Sequence, residues 1–263
     1  MSIHTQLTQD SKTQLLSECF AVHPETTNIM EEFPAQAHLL PMTDSALVGI
    51  AIGMALDGSF PIVQLASSAS LPPILSQLYQ ESRHGFPLSM VLRVPCLELR
   101  SLDINMLSTL PAAVYCAQNQ AHSSTIISEA RERKQPTLIL ESPALMATKQ
   151  QRPFSGEIET VREGTDISVL TWGENLSIAL QAAESYESQG ISLEILVLHR
   201  LFSAHSAIGA SINKTGRVIC INQNHSLSSV LINQSFWRLE AEPVFCSAEV
   251  SDIASAVQEI LEP

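Results

Sequence analysis

An α/β fold with mostly parallel sheets, divided into two domains, is what this sequence predicts, and three observations predict it. Apolar runs of strand length alternate with amphipathic runs of helix length through most of the chain. A polar stretch with two prolines, residues 142–165, interrupts that alternation. Hydrophobic residues make up 45% and charged residues 16% of the 263, a globular composition with enough apolar material for two cores.

Strands are expected at 62–66, 89–94, 113–116, 137–141, 167–171, 192–198, 217–221 and 244–247. Helices are expected at 45–56, 74–82, 123–134, 175–189, 205–213, 226–239 and 252–261. Asp57-Gly58 supplies a stop for the first of these, and Gly190 ends the helix before the strand ISLEILVL. Thr43 or Asp44, just ahead of an apolar helix, suits a helix N-cap. The interruption divides the chain into a domain at 1–145, a linker at 146–165 and a second domain at 166–263.

Bulk properties exclude several classes of function. The net charge of −13 argues against nucleic acid or an anionic membrane as a partner, because both demand clustered Lys and Arg. The first residues, MSIHTQLTQDSKTQ, lack the apolar core of a signal peptide, and the longest apolar run is 11 residues, 46–56. Five scattered cysteines without a CxxC pair read as reduced thiols in a cytoplasmic protein. None of the eight histidines pairs with another at helical spacing, so no metal site is expected. GxGxxG after a strand, GxxxxGK[ST], GxSxG and HExxH are all absent.

Two stretches carry a resemblance. The first is PMTDSALVGIAIGMALDGSFPIVQL, residues 41–65: a Pro-x-Thr-acid turn, a small-residue helix, then Gly-x-x-Pro-Ile opening a strand. The second and more specific is VREGTDISVLTWGENLSIALQAAESYESQGISLEILVLHRL, residues 161–201. LRVP at 92–95, PTLILES at 136–142 and KTGRVICINQ at 214–223 extend the match over roughly residues 40–223. Together they resemble the β-subunits of thiamin-diphosphate-dependent 2-oxo acid dehydrogenase decarboxylase components (pyruvate, branched-chain 2-oxo acid and acetoin dehydrogenases) of the transketolase superfamily.

That resemblance implies a transketolase-like pyrimidine-binding domain followed by a transketolase C-terminal-like domain. It also implies a heterotetramer around a homodimer core, with thiamin diphosphate shared between subunits. An α-type partner would hold the diphosphate and Mg²⁺ through a Gly-Asp-Gly segment, which this sequence lacks. The β-type chain would provide a carboxylate for the aminopyrimidine ring nitrogen, and Asp44 stands there where the family has glutamate. The resemblance places Leu65, Ser68 and Ser70 of LASSAS beside the ring, where the family carries an aromatic pair. Glu98, Arg100 and Ser101 occupy the equivalent of the family's histidine loop, without a histidine.

The function so implied is the β-type half of an oxidative 2-oxo acid decarboxylase, active only with its partner. Two alternatives remain open at this point. One is a catalytically degenerate assembly subunit. The other is the C-terminal half of a split transketolase-like enzyme acting on sugar phosphates, for which Lys214 and Arg217 would be the basic cluster. His199 and Arg200 are expected in packing or at a subunit interface, His205 early in a helix, and Trp172 and Trp237 in a core or interface. The cluster Asn222, Gln223, Asn224 and His225 has no functional reading.

Overall fold

The computed structural model describes residues 3–19, 28–96, 105–147, 155–203, 206–221, 227–228, 231 and 235–262. These fall into two α/β units, the first up to residue 96 together with 109–147, the second 105–108 together with 155 onward.

In the first unit a short helix, α1 (Ile3–Gln9), leads into β1 (Thr13–Ser17). There follow β2 (Ala37–Leu39), α2 (Asp44–Leu56), β3 (Phe60–Gln64), α3 (Leu71–Ser82), β4 (Val91–Pro95), β5 (Ala113–Ala117), α4 (Gln120–Ala130) and β6 (Thr137–Glu141). The sheet order is β5-β6-β4-β3-β1-β2, and each of these pairings is parallel. Every residue of β3, β4, β5 and β6 is buried, as expected for parallel strands covered on both faces. The chain leaves β1 to one side for β2 and comes back on the other side for β3, so the winding reverses between β1 and β3. Ser17 Oγ donates to the Gln64 carbonyl at 3.2 Å, tying the carboxyl ends of those two strands together.

The second unit contains β7 (Ile158–Arg162), β8 (Ile167–Thr171), α5 (Asn175–Glu187), β9 (Leu193–Leu198), α6 (Ser206–Thr215), β10 (Val218–Ile221), β11 (Val244–Cys246) and α7 (Val250–Leu261). Its sheet runs β11-β10-β8-β9-β7, parallel except for the antiparallel β7–β9 pair. Alternate strand residues Ile167, Val169, Leu193, Ile195, Ile219 and Ile221 share one apolar core with residues of α5 and α7. Gly164 is required by close approach, since a Cβ there would lie 2.3 Å from the Glu194 backbone nitrogen.

The fold class agrees with the expectation, and the differences are local. Strands at 137–141 and 167–171 lie where they were expected, and Gly58 and Gly190 take positive φ values of 85° and 81° past their helix ends. Residues 158–162, expected inside the linker, form edge strand β7, held by pairing to β9 rather than by an apolar pattern of their own. α1, β1 and β2 were not expected: these segments are short and their flanks polar, yet β1 lies between β2 and β3. Within the helix expected at 226–239 the described residues Ser228, Leu231 and Ser235 are helical, and its end is a short 3₁₀ turn, Phe236–Arg238.

Candidate functional site

Asp44 is the first helical residue of α2, one position inside the cap. Thr43 takes the cap itself, with an extended backbone and its Oγ1 accepting the Ala46 N–H at 3.4 Å. The choice left open by the sequence is thus resolved in favour of Thr43. Asp44 is free to point elsewhere, and it points to the end of β3. Both carboxylate oxygens accept the backbone N–H of Ala66, at 3.2 Å each.

Only 4% of Asp44 is exposed. A carboxylate has about four lone-pair positions, and among the described residues one shared N–H is all that Asp44 receives. The start of α2 contributes its favourable dipole. This is a buried carboxyl group with acceptor capacity to spare, at the carboxyl ends of parallel strands where the winding reverses. Open α/β sheets bind their ligands at such a point.

Leu65 is buried, with its N–H on the Arg93 carbonyl at 3.0 Å. Ser67 then caps a 3₁₀ turn, Ser68–Ser70, which runs straight into α3. The Asp44–Ala66 bond therefore sets the carboxylate beside the segment that contains Leu65, Ser68 and Ser70, and Ser68 and Ser70 are half-buried. Glu98, Arg100 and Ser101 lie outside the described residues, as do His205 and the cluster Asn222–His225.

Next to this end of the sheet is a buried pair that the sequence did not single out. Arg93 on β4 donates through Nε to both oxygens of Glu141 on β6, at 3.1 and 3.2 Å, and its Nη2 is 3.1 Å from Oε2. Ser123 Oγ also donates to Glu141. Both charges lie in strands that read as apolar runs, which is the one signal that could have marked them.

In the second unit Lys214 and Arg217 are already engaged. Lys214 Nζ binds Glu163 at 2.9 Å and also binds Glu194, while Arg217 pairs with Glu240 at 3.4 Å. Lys214 and Arg217 therefore do not form a free phosphate-binding cluster, and the sugar-phosphate alternative loses the feature it depended on. His199 is buried with Nε2 3.4 Å from Glu159, and Arg200 binds Glu157 at 2.6 Å, so both pack against β7 and the residue before it. Trp172 is a core residue, whereas Trp237 is 90% exposed and belongs to no core. Among the described residues no group of three or more His, Cys, Asp or Glu could hold a metal, and no helix is long and apolar enough to cross a membrane.

Comparison with known proteins agrees with this architecture. The family model for the transketolase C-terminal domain matches residues 156–232. The β-subunit of the pyruvate dehydrogenase E1 component of Acholeplasma laidlawii is 27% identical, over 78% of this chain and 72% of that protein. The β-subunit of 2-oxoisovalerate dehydrogenase of Bacillus subtilis is 23% identical, over 88% of this chain and 79% of that protein. Among solved structures, a split-gene transketolase described as an inactive β4 tetramer superposes with a TM-score of 0.77 at 17% identity, covering 98% of this chain and 94% of that one. A 2-oxoglutarate:ferredoxin oxidoreductase from Magnetococcus marinus gives 0.65 at 12% identity, covering 95% and 62%.

The resemblance read from the sequence implies thiamin diphosphate, and Asp44 tests whether the residues present suit it. A buried carboxylate with unused lone pairs is the acceptor that a protonated ring nitrogen needs, so the donor set fits at that atom. Ser68 and Ser70 offer no aromatic face, so the ring's stacking surface is not provided by the 65–70 segment.

Proposed function

We propose that this chain, a divergent transketolase-superfamily relative of the 2-oxo acid dehydrogenase β-subunits, is the β-type half of a heteromeric thiamin-diphosphate-dependent 2-oxo acid decarboxylase. The single observation that carries the reading is Asp44, a buried carboxyl group that among the described residues receives one backbone N–H, at the reversal point of a parallel sheet.

In this reading Asp44 accepts from the pyrimidine ring nitrogen in its protonated form, and Leu65, Ser68 and Ser70 border the ring. When bound, thiamin diphosphate would supply the carbon nucleophile that attacks the keto group of a 2-oxo acid. The diphosphate and Mg²⁺ fall to an α-type partner, since the sequence has no Gly-Asp-Gly segment. Glu98, Arg100 and Ser101 would border the substrate side, as the family's loop does. The setting is the cytoplasm, which suits a chain whose described cysteines are all free thiols.

A partner also has a surface to cover. α2 is apolar almost all round, and its exposed residues include Ala46, Ile50, Gly53 and Leu56. A Cβ at Gly53 would meet nothing within 4 Å, so another backbone could approach closely there. The assembly proposed is a heterotetramer with a homodimer core of this chain.

The test is reconstitution with an α-type subunit. The mixed complex, loaded with thiamin diphosphate and Mg²⁺, should release CO₂ from a 2-oxo acid, and either chain alone should not. Light scattering that finds this chain strictly monomeric with every such partner would remove the reading.

A further inference from the structure

The second unit contains a cavity of about 500 Å³ that no part of the proposed cofactor site uses. It is lined by Phe236, Leu239, Ala241, Pro243 and Phe245, with Ser228 and Glu242 as the polar members. The size lies within the range of small-molecule sites, roughly 300–1,000 Å³. Phe236 keeps 57% of its surface exposed and meets Trp237 edge-on, with ring centroids 5.2 Å apart. Two exposed aromatic side chains on one three-residue turn are costly in water, and a ligand that covers them recovers that cost.

The lining decides what kind of ligand. Two benzene rings and three aliphatic side chains favour a flat or branched apolar body. Among the described residues of the lining Glu242 is the charged one, and the electron-rich faces of Phe236 and Phe245 attract positive charge as well. The chain carries 27 acidic against 14 basic residues, which raises the local concentration of cations and repels anions. We propose that this cavity is a binding site for a small organic cation with an aromatic body, an arylalkyl ammonium in chemical class.

The proposal is tested on the full chain with 2-phenylethylamine as probe and 3-phenylpropionate, similar in size and opposite in charge, as control. Trp237 is the exposed indole of the two tryptophans, so its emission reports on Phe236. Saturable quenching by 2-phenylethylamine is expected, absent in Trp237→Phe, with little response to 3-phenylpropionate. Calorimetry should find binding about threefold weaker or more in Glu242→Gln, the change expected for losing a rim charge. It should find binding about tenfold weaker in Phe236→Ala. Both side chains are exposed, and circular dichroism checks that each variant folds. No saturable binding by either method overturns the site. Equal binding of the anionic control, or unchanged affinity in Glu242→Gln, overturns the assignment to a cation.

Discussion

Arg93 and Glu141 form a doubly hydrogen-bonded ion pair between neighbouring strands, with 2% and 1% of their side chains exposed. Their charges compensate each other where water cannot, and Ser123 adds a further donor to the carboxylate. Removing one member takes from the other, buried in a strand, its cross-strand ion pair and the hydrogen bonds that go with it. Arg93→Met should therefore destabilise the chain by about 3–5 kcal/mol, measured by urea unfolding. The double variant Arg93→Met/Glu141→Leu should recover most of that loss. A double variant no better than the single would show that the strands depend on the pair's hydrogen bonds and not on charge balance.

A second ionic group predicts how stability varies with pH. Hydrogen bonds to Glu163 and then Glu194 raise the Lys214 ammonium above its ordinary 10.5. Hydrogen bonding to Lys214 is the first cause holding Glu163 below 4.5. A raised lysine contributes stability that is complete below its unfolded value and is lost as pH climbs through the folded one. A lowered glutamate contributes above its unfolded value and fades as pH falls through the folded one. The melting-temperature gap between wild type and Lys214→Gln should accordingly be widest between the two ordinary values, 4.5 and 10.5. It should narrow toward both extremes. A gap that ignores pH would mean that the lysine acts through packing alone.

Thiol chemistry should be equally selective. Among the free cysteines Cys19 is exposed, while Cys96, Cys116, Cys220 and Cys246 are buried. Burial, with Asp252 nearby as a smaller cause, pushes the Cys246 thiol up to about 11, and burial first and Cys246 second push Cys220 higher still. The native chain should show one fast thiol with Ellman's reagent at neutral pH, abolished by Cys19→Ser, and the others only in denaturant. A second fast thiol in Cys19→Ser would show that one of the cores opens to solvent.

How much of this was legible in the sequence follows from which signals are local. Apolar runs marked β3, β4, β5, β6, β8, β9 and β10 because each of these is buried along its whole length. β1 escaped notice because Thr13–Ser17 gives only two adjacent leucines, and its place between β2 and β3 is a long-range fact. With β1 unseen, the reversal point was unseen as well, so Asp44 could be singled out by resemblance but not by position. The Asp44–Ala66 bond spans 22 residues and depends on the turn after β3, which no periodicity encodes. Arg93 and Glu141 hid for a related reason. Each is the one charge in an otherwise apolar strand, and only their adjacency across the sheet explains why it is tolerated.

The last prediction concerns Asp44, where fold and proposed chemistry can be separated. Asp44→Asn retains an oxygen to accept the Ala66 N–H and leaves the Thr43 cap alone, so its melting temperature should stay near wild type. It replaces an anion with a neutral amide, and turnover of the reconstituted complex should fall by about 100-fold or more. Asp44→Ala takes the acceptor from the Ala66 N–H in a part-buried bond and should cost about 1 kcal/mol. Asp44→Glu lengthens the side chain by about 1 Å, and misplacements of that size are worth about 100-fold in either direction. Restoring the glutamate that the family carries should thus hold or raise turnover, provided the Ala66 bond survives. Thermal unfolding, cofactor affinity by calorimetry and CO₂ release, measured together on the three variants, separate the outcomes. If Asp44→Asn binds thiamin diphosphate and turns over like wild type, while Asp44→Ala loses only stability, the carboxylate is a structural tie between α2 and β3.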